Sequence, residues 1–436
     1  MIYFMFFADT GLPKPCANDK VLSCHLDSSD LKTAFMGIIK KLLGRPDHDD
    51  FARLMTDFLR QSGEERDIRY DPESFKLIIG SEDRVHFWLG NAYTQYLAAP
   101  RKMRRAVLER FAVVPTANAE IVPSSFDTAE RGLLPRVRDL GYYAMTKLRF
   151  EVEGLDYIEP PFKPLASHLA VGLAYDRPES IVEITRDALE RWERSFDEAL
   201  EIARDNLWNM SGGKFEQIAP GVFLSPWQDN HDASRLYLYD LLWHLDIAGD
   251  VVAVIPNRDT LLVTGSESAE GLRVMAAICE EVIQQSHPIS AIPVILREKQ
   301  WETFTLESDH PAFEPFNKLR ILEEARDYAE QKKWLEALNT KRDEDVFVAS
   351  YTVLQDKRSG ALMSYSVWVE DIPTLLPITD EVVFMRDRKI IAKAAWEQVR
   401  RVAGSLMSAV DLYPRRYRID MFPTDEQLKE IGLFTK

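Results

Sequence analysis

The densest group of residues that could do chemistry is the segment DNHDASR, residues 229–235. Asp229, His231 and Asp232 offer carboxylate oxygens and an imidazole, which are groups that bind metals and other ligands. Arg235 adds a cation at the end of the segment. The same residues also suit the start of a helix, because Asp side chains accept hydrogen bonds from the free N–H groups there. Both interpretations stay open, and helix-start chemistry is the simpler one.

A second polar group interrupts the apolar segment VVAVIPNRDTLLVTG, residues 251–265. Two β-branched, apolar runs flank residues 256–259, and this pattern predicts a β-hairpin. Proline fixes φ and Asp259 can accept backbone N–H bonds, so a turn explains the polar residues. If the turn carries function, Arg258 is the better candidate, and Arg258 and Asp259 therefore join the candidate binding residues.

The usual catalytic and cofactor motifs do not assemble. Ser234, His231 and Asp232 include the residue types of a hydrolytic triad, but triad members normally converge from separate elements. The sequence has no G-x-S-x-G, no P-loop and no G-x-G-x-x-G motif. Cys279 lies on the apolar face of a predicted helix and is interpreted as a core residue. We therefore predict no catalytic residue, no metal and no cofactor, although the enzyme question stays open.

The composition limits the class of protein and its partners. The 436 residues carry a net charge of −16, and 46% of them are hydrophobic. A chain of this kind buries a sizeable core and is not disordered. Its acidic balance argues against a nucleic-acid partner, because phosphates would be repelled. The basic segments 101–110 and 413–420 are local exceptions, interpreted as a solvated helix side and an edge strand.

Location follows from cysteine usage and hydropathy. The chain has three cysteines, which fits a reducing cytoplasm better than a disulfide framework. It has no apolar run of the roughly 18 residues that span a bilayer, so no membrane association is predicted. Residues 1–35 lack periodicity, and the segment from Met36 onward has the character of a bacterial cytosolic start. We expect that 1–35 is a mis-annotated extension and that Cys16, Cys24 and His25 have no function.

Periodicity predicts an α+β fold with mixed helices and mainly antiparallel sheets. Strands are predicted near 74–81, 168–176 and 180–185, and hairpins near 215–227, 251–265, 291–307 and 346–369. Helices are predicted near 48–61, 85–98, 101–112, 186–208, 231–245, 267–286, 311–343 and 389–408.

One internal similarity suggests a repeat. IPNRDTLLV (255–263) aligns without gaps with LPITDEVVF (376–384), so that Pro256 matches Pro377 and Asp259 matches Asp380. An amphipathic helix follows each apolar strand. We therefore predict a strand–turn–strand–helix unit that occurs in both the middle and C-terminal regions.

Residues 130–310 resemble the YtpQ-like family, a bacterial domain of unknown function 1444. The resemblance is carried by LLPRVRD (133–139), LSPWQDNHDASRLYL (224–238), VVAVIPNRDTLLVTG (251–265) and HPISAIPVILREKQWETF (287–304). The flanking regions resemble the longer proteobacterial members. The resemblance implies a cytosolic protein and assigns no activity, so no catalytic residue carries over.

These observations lead to five expected regions: an extension (1–35), a mostly helical region (36–125), a YtpQ-like α+β domain (126–310), a helical connector (311–344) and a C-terminal α+β domain (345–436). The expected function is that of a non-enzymatic adaptor that binds a protein or peptide. Trp227, Trp301 and Trp368 are expected at its surface, since interfaces favour such residues. The alternative is an unfamiliar enzyme with Asp229, His231, Asp232, Arg235 and Arg258 in one cleft.

Overall fold

The computed structural model describes residues 46–72, 75–80, 85–116, 122–177, 181–285 and 287–432. The expected extension 1–35, with Cys16, Cys24 and His25, lies outside these residues. The chain divides into two compact units, one that ends at Tyr93 and one that begins at Thr94. Helices and mainly antiparallel sheets make up the described residues, which confirms the α+β class. Within these ranges no helix is long and apolar enough to cross a membrane.

The first unit packs one helix with a small sheet. Helix α1 (His48–Gln61) buries Phe51, Met55 and Leu59 on one face, as its period predicted. The sheet is antiparallel, in the order β1 (Ile68–Asp71), β2 (Lys76–Ile79), β3 (Val85–Trp88). The helix expected from residue 85 begins only at α2 (Gly90–Ala98), because the β-branched and aromatic residues before it form β3.

The second unit contains nine helices among its described residues and several short 3₁₀ turns. The helices are α3 (Arg104–Thr116), α4 (Phe126–Ala129), α5 (Leu140–Glu153), α6 (Arg186–Arg191), α7 (Phe196–Met210), α8 (Ala269–Val282), α9 (Phe313–Arg342), α10 (Trp396–Ala403) and α11 (Asp425–Ile431). The 3₁₀ turns are Arg101–Met103, Glu130–Gly132, Ala233–Tyr237, Tyr239–Leu241 and Gly404–Leu406.

Two antiparallel sheets form the middle of this unit. The smaller one contains β4 (Leu133–Asp139), β5 (Phe162–Pro164), β6 (Leu169–Asp176) and β7 (Ile181–Glu183), with β6 paired to the other three. The larger one contains β8 (Glu216–Ala219), β9 (Val222–Leu224), β10 (Val251–Asn257), β11 (Thr260–Gly265), β12 (Pro288–Arg297) and β13 (Gln300–Thr303). Its strand order is β13-β12-β10-β11-β9-β8.

Strand alternation gives the larger sheet two buried faces. Ala253 and Ile255 of β10 pack in the same core as Val137 of β4. Their neighbours Val252 and Val254 point the other way and pack with α8 and the start of α9. Because both faces are covered, β10 reads as a continuous apolar run, and the hairpin predicted at 251–265 is confirmed.

The C-terminal part has two four-stranded sheets. One has the order β14 (Phe347–Val348), β17 (Thr374–Pro377), β21 (Arg416–Ile419), β20 (Met407–Ala409). The other has the order β15 (Thr352–Gln355), β16 (Leu362–Val369), β18 (Glu381–Arg386), β19 (Lys389–Ala395). Two pairs within them, β14–β17 and β16–β18, are parallel.

Three further expected helices differ from the structure. The helix at 186–208 is broken into α6 and α7, because Ser195 and Glu198 form a capping box that starts a new helix. The helix at 231–245 is replaced by short 3₁₀ turns. The helix expected at 389–408 is shortened to α10, because residues 389–395 pair with β18 as strand β19.

The internal similarity does not extend to strand pairing. In the first copy β10 and β11 form a hairpin. In the second copy, β17 and β18 lie in different sheets, and the segment from Pro377 to Asp380 connects the two sheets. Asp380 accepts bonds there from the Ser364 N–H and hydroxyl, at 2.7 Å each. The similar sequences therefore form a hairpin turn in one copy and a connection between two sheets in the other.

Burial corrects two further expectations. Trp301 and Trp368 are buried and do not offer an interface, whereas Trp227 is partly exposed. The segment 413–420 does not form an edge strand, since β21 lies between β17 and β20. Its Arg416 is fully buried and donates to the carbonyls of Ala349 and Leu375. This basic residue therefore has a structural role.

Candidate functional site

The candidate site is a small cavity of about 10 Å³ where β4, the segment 228–235 and the β10–β11 turn meet. That volume gives room for about one water molecule. Three arginines line the cavity, and no carboxylate of the described residues does. Its polar lining consists of Arg136, Arg138, Asn230, His231, Ser234 and Arg258, with Val137, Ile181 and Ala233 between them. Asn230 is exposed and lies at the solvent side. We call this space the arginine cavity.

Backbone hydrogen bonds join the three segments that build it. The N–H of Ala233 donates to the carbonyl of Arg258 at 3.1 Å, and the N–H of Arg258 donates to the carbonyl of His287 at 3.1 Å. The N–H of Val137 donates to Ser234 Oγ at 3.3 Å, which ties the 3₁₀ turn to β4. The site is thus fixed by contacts between elements far apart in sequence.

A buried ion pair holds the segment 228–235 in place. The fully buried Arg235 donates from Nη1 and Nη2 to the two carboxylate oxygens of Asp229, at 2.8 and 2.6 Å. Its Nε donates to Ser211 Oγ at 2.8 Å, and its guanidinium lies 4.2 Å from the Trp227 ring. Burial opposes ionisation of Asp229, but Arg235 outweighs it and holds the pKa of Asp229 below its usual range. Asp229 and Arg235 are therefore positioning residues.

Left-handed backbone is concentrated at the same place. Gln228, Asn230 and His287 have φ angles of 53°, 70° and 58°. Such conformations are uncommon for residues other than glycine and cost free energy unless surrounding contacts impose them. Here the Asp229–Arg235 pair and the N–H of His231, which donates to Asp229 Oδ1 at 3.0 Å, impose the turn. The turn that these contacts hold places Asn230 and His231 at the cavity.

Two of the three lining arginines have a carboxylate close by. Arg258 Nε lies 3.1 Å from Asp259 Oδ1, its neighbour in the turn. Arg136 Nε lies 3.9 Å from Glu183 Oε1, which is a long ion pair. Burial raises the pKa of Glu183, although Arg138 and a hydrogen bond from Tyr142 partly offset this. Glu183 therefore lies close to Arg136 and also interacts electrostatically with Arg138.

Arg138 is the exception. It is 7% exposed, and among the described residues no carboxylate lies within 4 Å of its guanidinium. Its buried Nε has no hydrogen-bond partner, and its guanidinium carbon lies 5.2 Å from the centre of the Tyr142 ring. A buried cation that no carboxylate contacts directly is costly in a folded protein. Such a group at a cavity indicates that an anion completes the site.

His231 adds a second unsatisfied group. It is 4% exposed, and its buried Nε2 has no hydrogen-bond partner; Asp176 Oδ2 is 3.6 Å away. Asp232 behind it is fully buried and does not line the cavity. Ser225 and the backbone of Gln228 lie close to its carboxylate, but neither completes a hydrogen bond of regular geometry, and burial raises the pKa of Asp232.

The positive field extends beyond the lining. Burial is the main cause that lowers the pKa of His287 to about 4, and the charges of Arg258, Arg138 and Arg110 act in the same direction, with Asp259 opposing them. Gln95 Nε2 lies 3.1 Å from His287 Nε2. A neutral imidazole that responds to three arginines shows how positive this region is within a strongly acidic chain.

The structure thus separates the residues singled out by the sequence. His231 and Arg258 line the cavity. Asp229 and Arg235 hold the segment 228–235 in place through their ion pair. Asp259 pairs with Arg258, and Asp232 is buried outside the lining. The polar turn at 256–259 is both a hairpin turn and a wall of the site. Sequence reasoning missed Arg136 and Arg138, although the alternation Arg-Val-Arg within the apolar strand LLPRVRD was a usable signal, since it puts two cations on one face.

The arrangement can hold an anion, because guanidinium forks and an imidazole converge where no acidic side chain from the described part of the chain enters. Among the described residues no group of three or more His, Cys, Asp or Glu side chains is placed to hold a metal ion. The YtpQ-like assignment stays a prediction. Neither a known family model, nor a curated protein, nor a solved structure matches the chain.

Proposed function

We propose that this protein is a non-enzymatic binding module that takes up an acidic group of a protein or peptide partner in the arginine cavity. The observation that carries the proposal is Arg138, a buried cation that lines a cavity and has no carboxylate within 4 Å among the described residues. An acidic group from outside would neutralise it and satisfy its free Nε.

The size of the cavity supports a partner that inserts an end group. Room for about one water molecule does not enclose a metabolite, which usually needs several hundred Å³. A side-chain or terminal group of a larger partner can reach such a place while the rest of the partner lies outside. The exposed Asn230 and the partly exposed Arg258 give it a polar rim.

The alternative, an unfamiliar enzyme, has less support. It needs Asp229, His231, Asp232, Arg235 and Arg258 to face one cleft. Asp229 and Arg235 are engaged with each other, and Asp232 is buried away from the cavity. Ser234 lines the cavity beside His231, but among the described residues its Oγ is bonded to the Val137 N–H and His231 Nε2 has no partner, so no hydrogen bond makes His231 a base for this hydroxyl.

The test is selection of random peptides on the full chain, with free and blocked carboxyl ends displayed in parallel. We expect captured peptides to be enriched in acidic groups with the wild type and with Arg273→Met, a control at an exposed arginine on α8. Arg138→Met should lose that enrichment at least tenfold. Capture that is equal on all three proteins, or no capture above background, contradicts the proposal.

A further inference from the structure

We infer that the group bound in the arginine cavity is a carboxylate, a planar monoanion, and not a phosphate. This inference rests on the proposed function and specifies the chemistry of the same site. It follows from the local charges, from the room available and from the shape of the free donors.

The local charges leave about one positive charge open. Three guanidinium groups line the cavity. Asp259 lies beside Arg258, and Glu183 lies beside Arg136. Asp176 faces His231 from a side chain that is 36% exposed, where solvent screens it. A monoanion therefore balances Arg138, whereas a phosphate dianion would leave excess negative charge in a largely buried place.

The room available favours the smaller group. The cavity holds about one water molecule. One carboxylate oxygen can take that place, while its second oxygen stays in the same plane. A phosphate carries three terminal oxygens in a tetrahedral arrangement and would have to displace the cavity walls. Val137, Ala233 and Ser234 in those walls are buried and held by backbone contacts, which resist such a displacement.

The free donors also match a planar two-oxygen group. Arg138 offers a guanidinium fork whose Nε has no partner, and Arg–carboxylate pairs are frequently bidentate. His231 Nε2 is a second free, buried position that can donate when it carries the proton. Two sources share this chemistry: the C-terminal carboxylate of a peptide and an Asp or Glu side chain.

The test is calorimetric titration of the full chain with formate, acetate and inorganic phosphate at constant ionic strength and pH 7. We expect formate and acetate to bind the wild type and Arg273→Met with equal affinity. Arg138→Met should bind them at least tenfold more weakly. Arg138→Lys should also lose affinity, because it keeps the charge but loses the fork. Stronger, Arg138-dependent binding of phosphate overturns the inference.

Matched peptides then separate the two sources of carboxylate. Amidation of the peptide end abolishes binding if the terminal carboxylate is bound, and Glu→Gln substitution abolishes it if a side chain is bound. Peptides that bind through Arg138 without any carboxylate overturn the carboxylate inference and leave the proposed function standing. Carboxylates that bind through Arg138, when no peptide does, support the anion and contradict the peptide-binding function.

Discussion

Arg138 and Asp139 are neighbours on β4, and their side chains lie in two different buried polar regions. Arg138 lines the arginine cavity. Asp139 lies with Asp327 of α9 around Gly141, where a Cβ would be 2.7 Å from Asp139 Oδ1 and 3.6 Å from Asp327 Oδ2. Successive side chains of a strand point to opposite faces, so one strand separates a cationic region from an acidic one.

The two regions differ in how their charges are satisfied. Asp139 Oδ1 accepts the Tyr142 N–H at 2.9 Å and caps α5. Asp327 pairs with Arg326, and Glu323 accepts from Ser290 Oγ and the Ala291 N–H at 2.7 Å each. In the arginine cavity Arg138 and His231 keep unpartnered atoms. The acidic region therefore supports the fold, and the cationic region has groups left for a ligand.

The largest expected change in stability comes from Arg235→Met, which removes the contacts that hold the segment 228–235 at the cationic region. This change removes the pair with Asp229, the bond to Ser211 and the contact with Trp227. Loss of one partner of a buried ion pair costs about 3 kcal/mol. Urea titration should show that decrease in the free energy of unfolding. A decrease as small as that of the exposed control Arg273→Met would show that the pair does not hold the segment.

The next largest effect is a pH-dependent gain in stability from Glu323→Gln in the acidic region. Burial and, after it, the charge of Asp327 raise the pKa of Glu323 to about 8. The native state binds this proton more tightly than the unfolded state, so wild-type stability falls as pH rises from about 4.5 to about 8. Like a protonated carboxyl, glutamine can accept the Ala291 N–H and donate to Ser290 Oγ, and it does not titrate.

We therefore expect Glu323→Gln to equal the wild type near pH 5 and to exceed it by on the order of 2 kcal/mol near pH 8.5. Urea titrations at the two pH values measure the difference. A variant that is destabilised equally at both would show that Glu323 is ionised throughout and stabilises the fold as a charge.

The smallest expected effect is that of Arg138→Met, which sharpens the comparison between partnered and unpartnered buried arginines. A buried cation that no carboxylate contacts directly contributes little to the stability of the free protein, so its replacement by methionine should be neutral or stabilise by about 1 kcal/mol. Urea titration without added anions measures this. A loss near that of Arg235→Met would make Arg138 a structural residue and remove the main support for the anion site.

Local pattern predicted much of the framework and little of the site. The face of α1 and the hairpin at 251–265 followed from apolar spacing, because burial repeats with the period of the element. The prediction of a helix at 389–408 was wrong over its first half. Residues 389–395 pair with β18 as strand β19, and this pairing between strands outweighs the local helix propensity.

The sequence by itself determined the α+β class, the polar turn at 256–259 and the charge of the segment 229–235. Tertiary structure decided which of these charges meet. Arg235 pairs with Asp229 of its own segment. Arg138 has no carboxylate within 4 Å among the described residues, because its cavity is built by strands and turns distant in sequence, such as the turn of Ser234. Charge partners depend on register and on which face a strand buries, and neither is written in the local sequence.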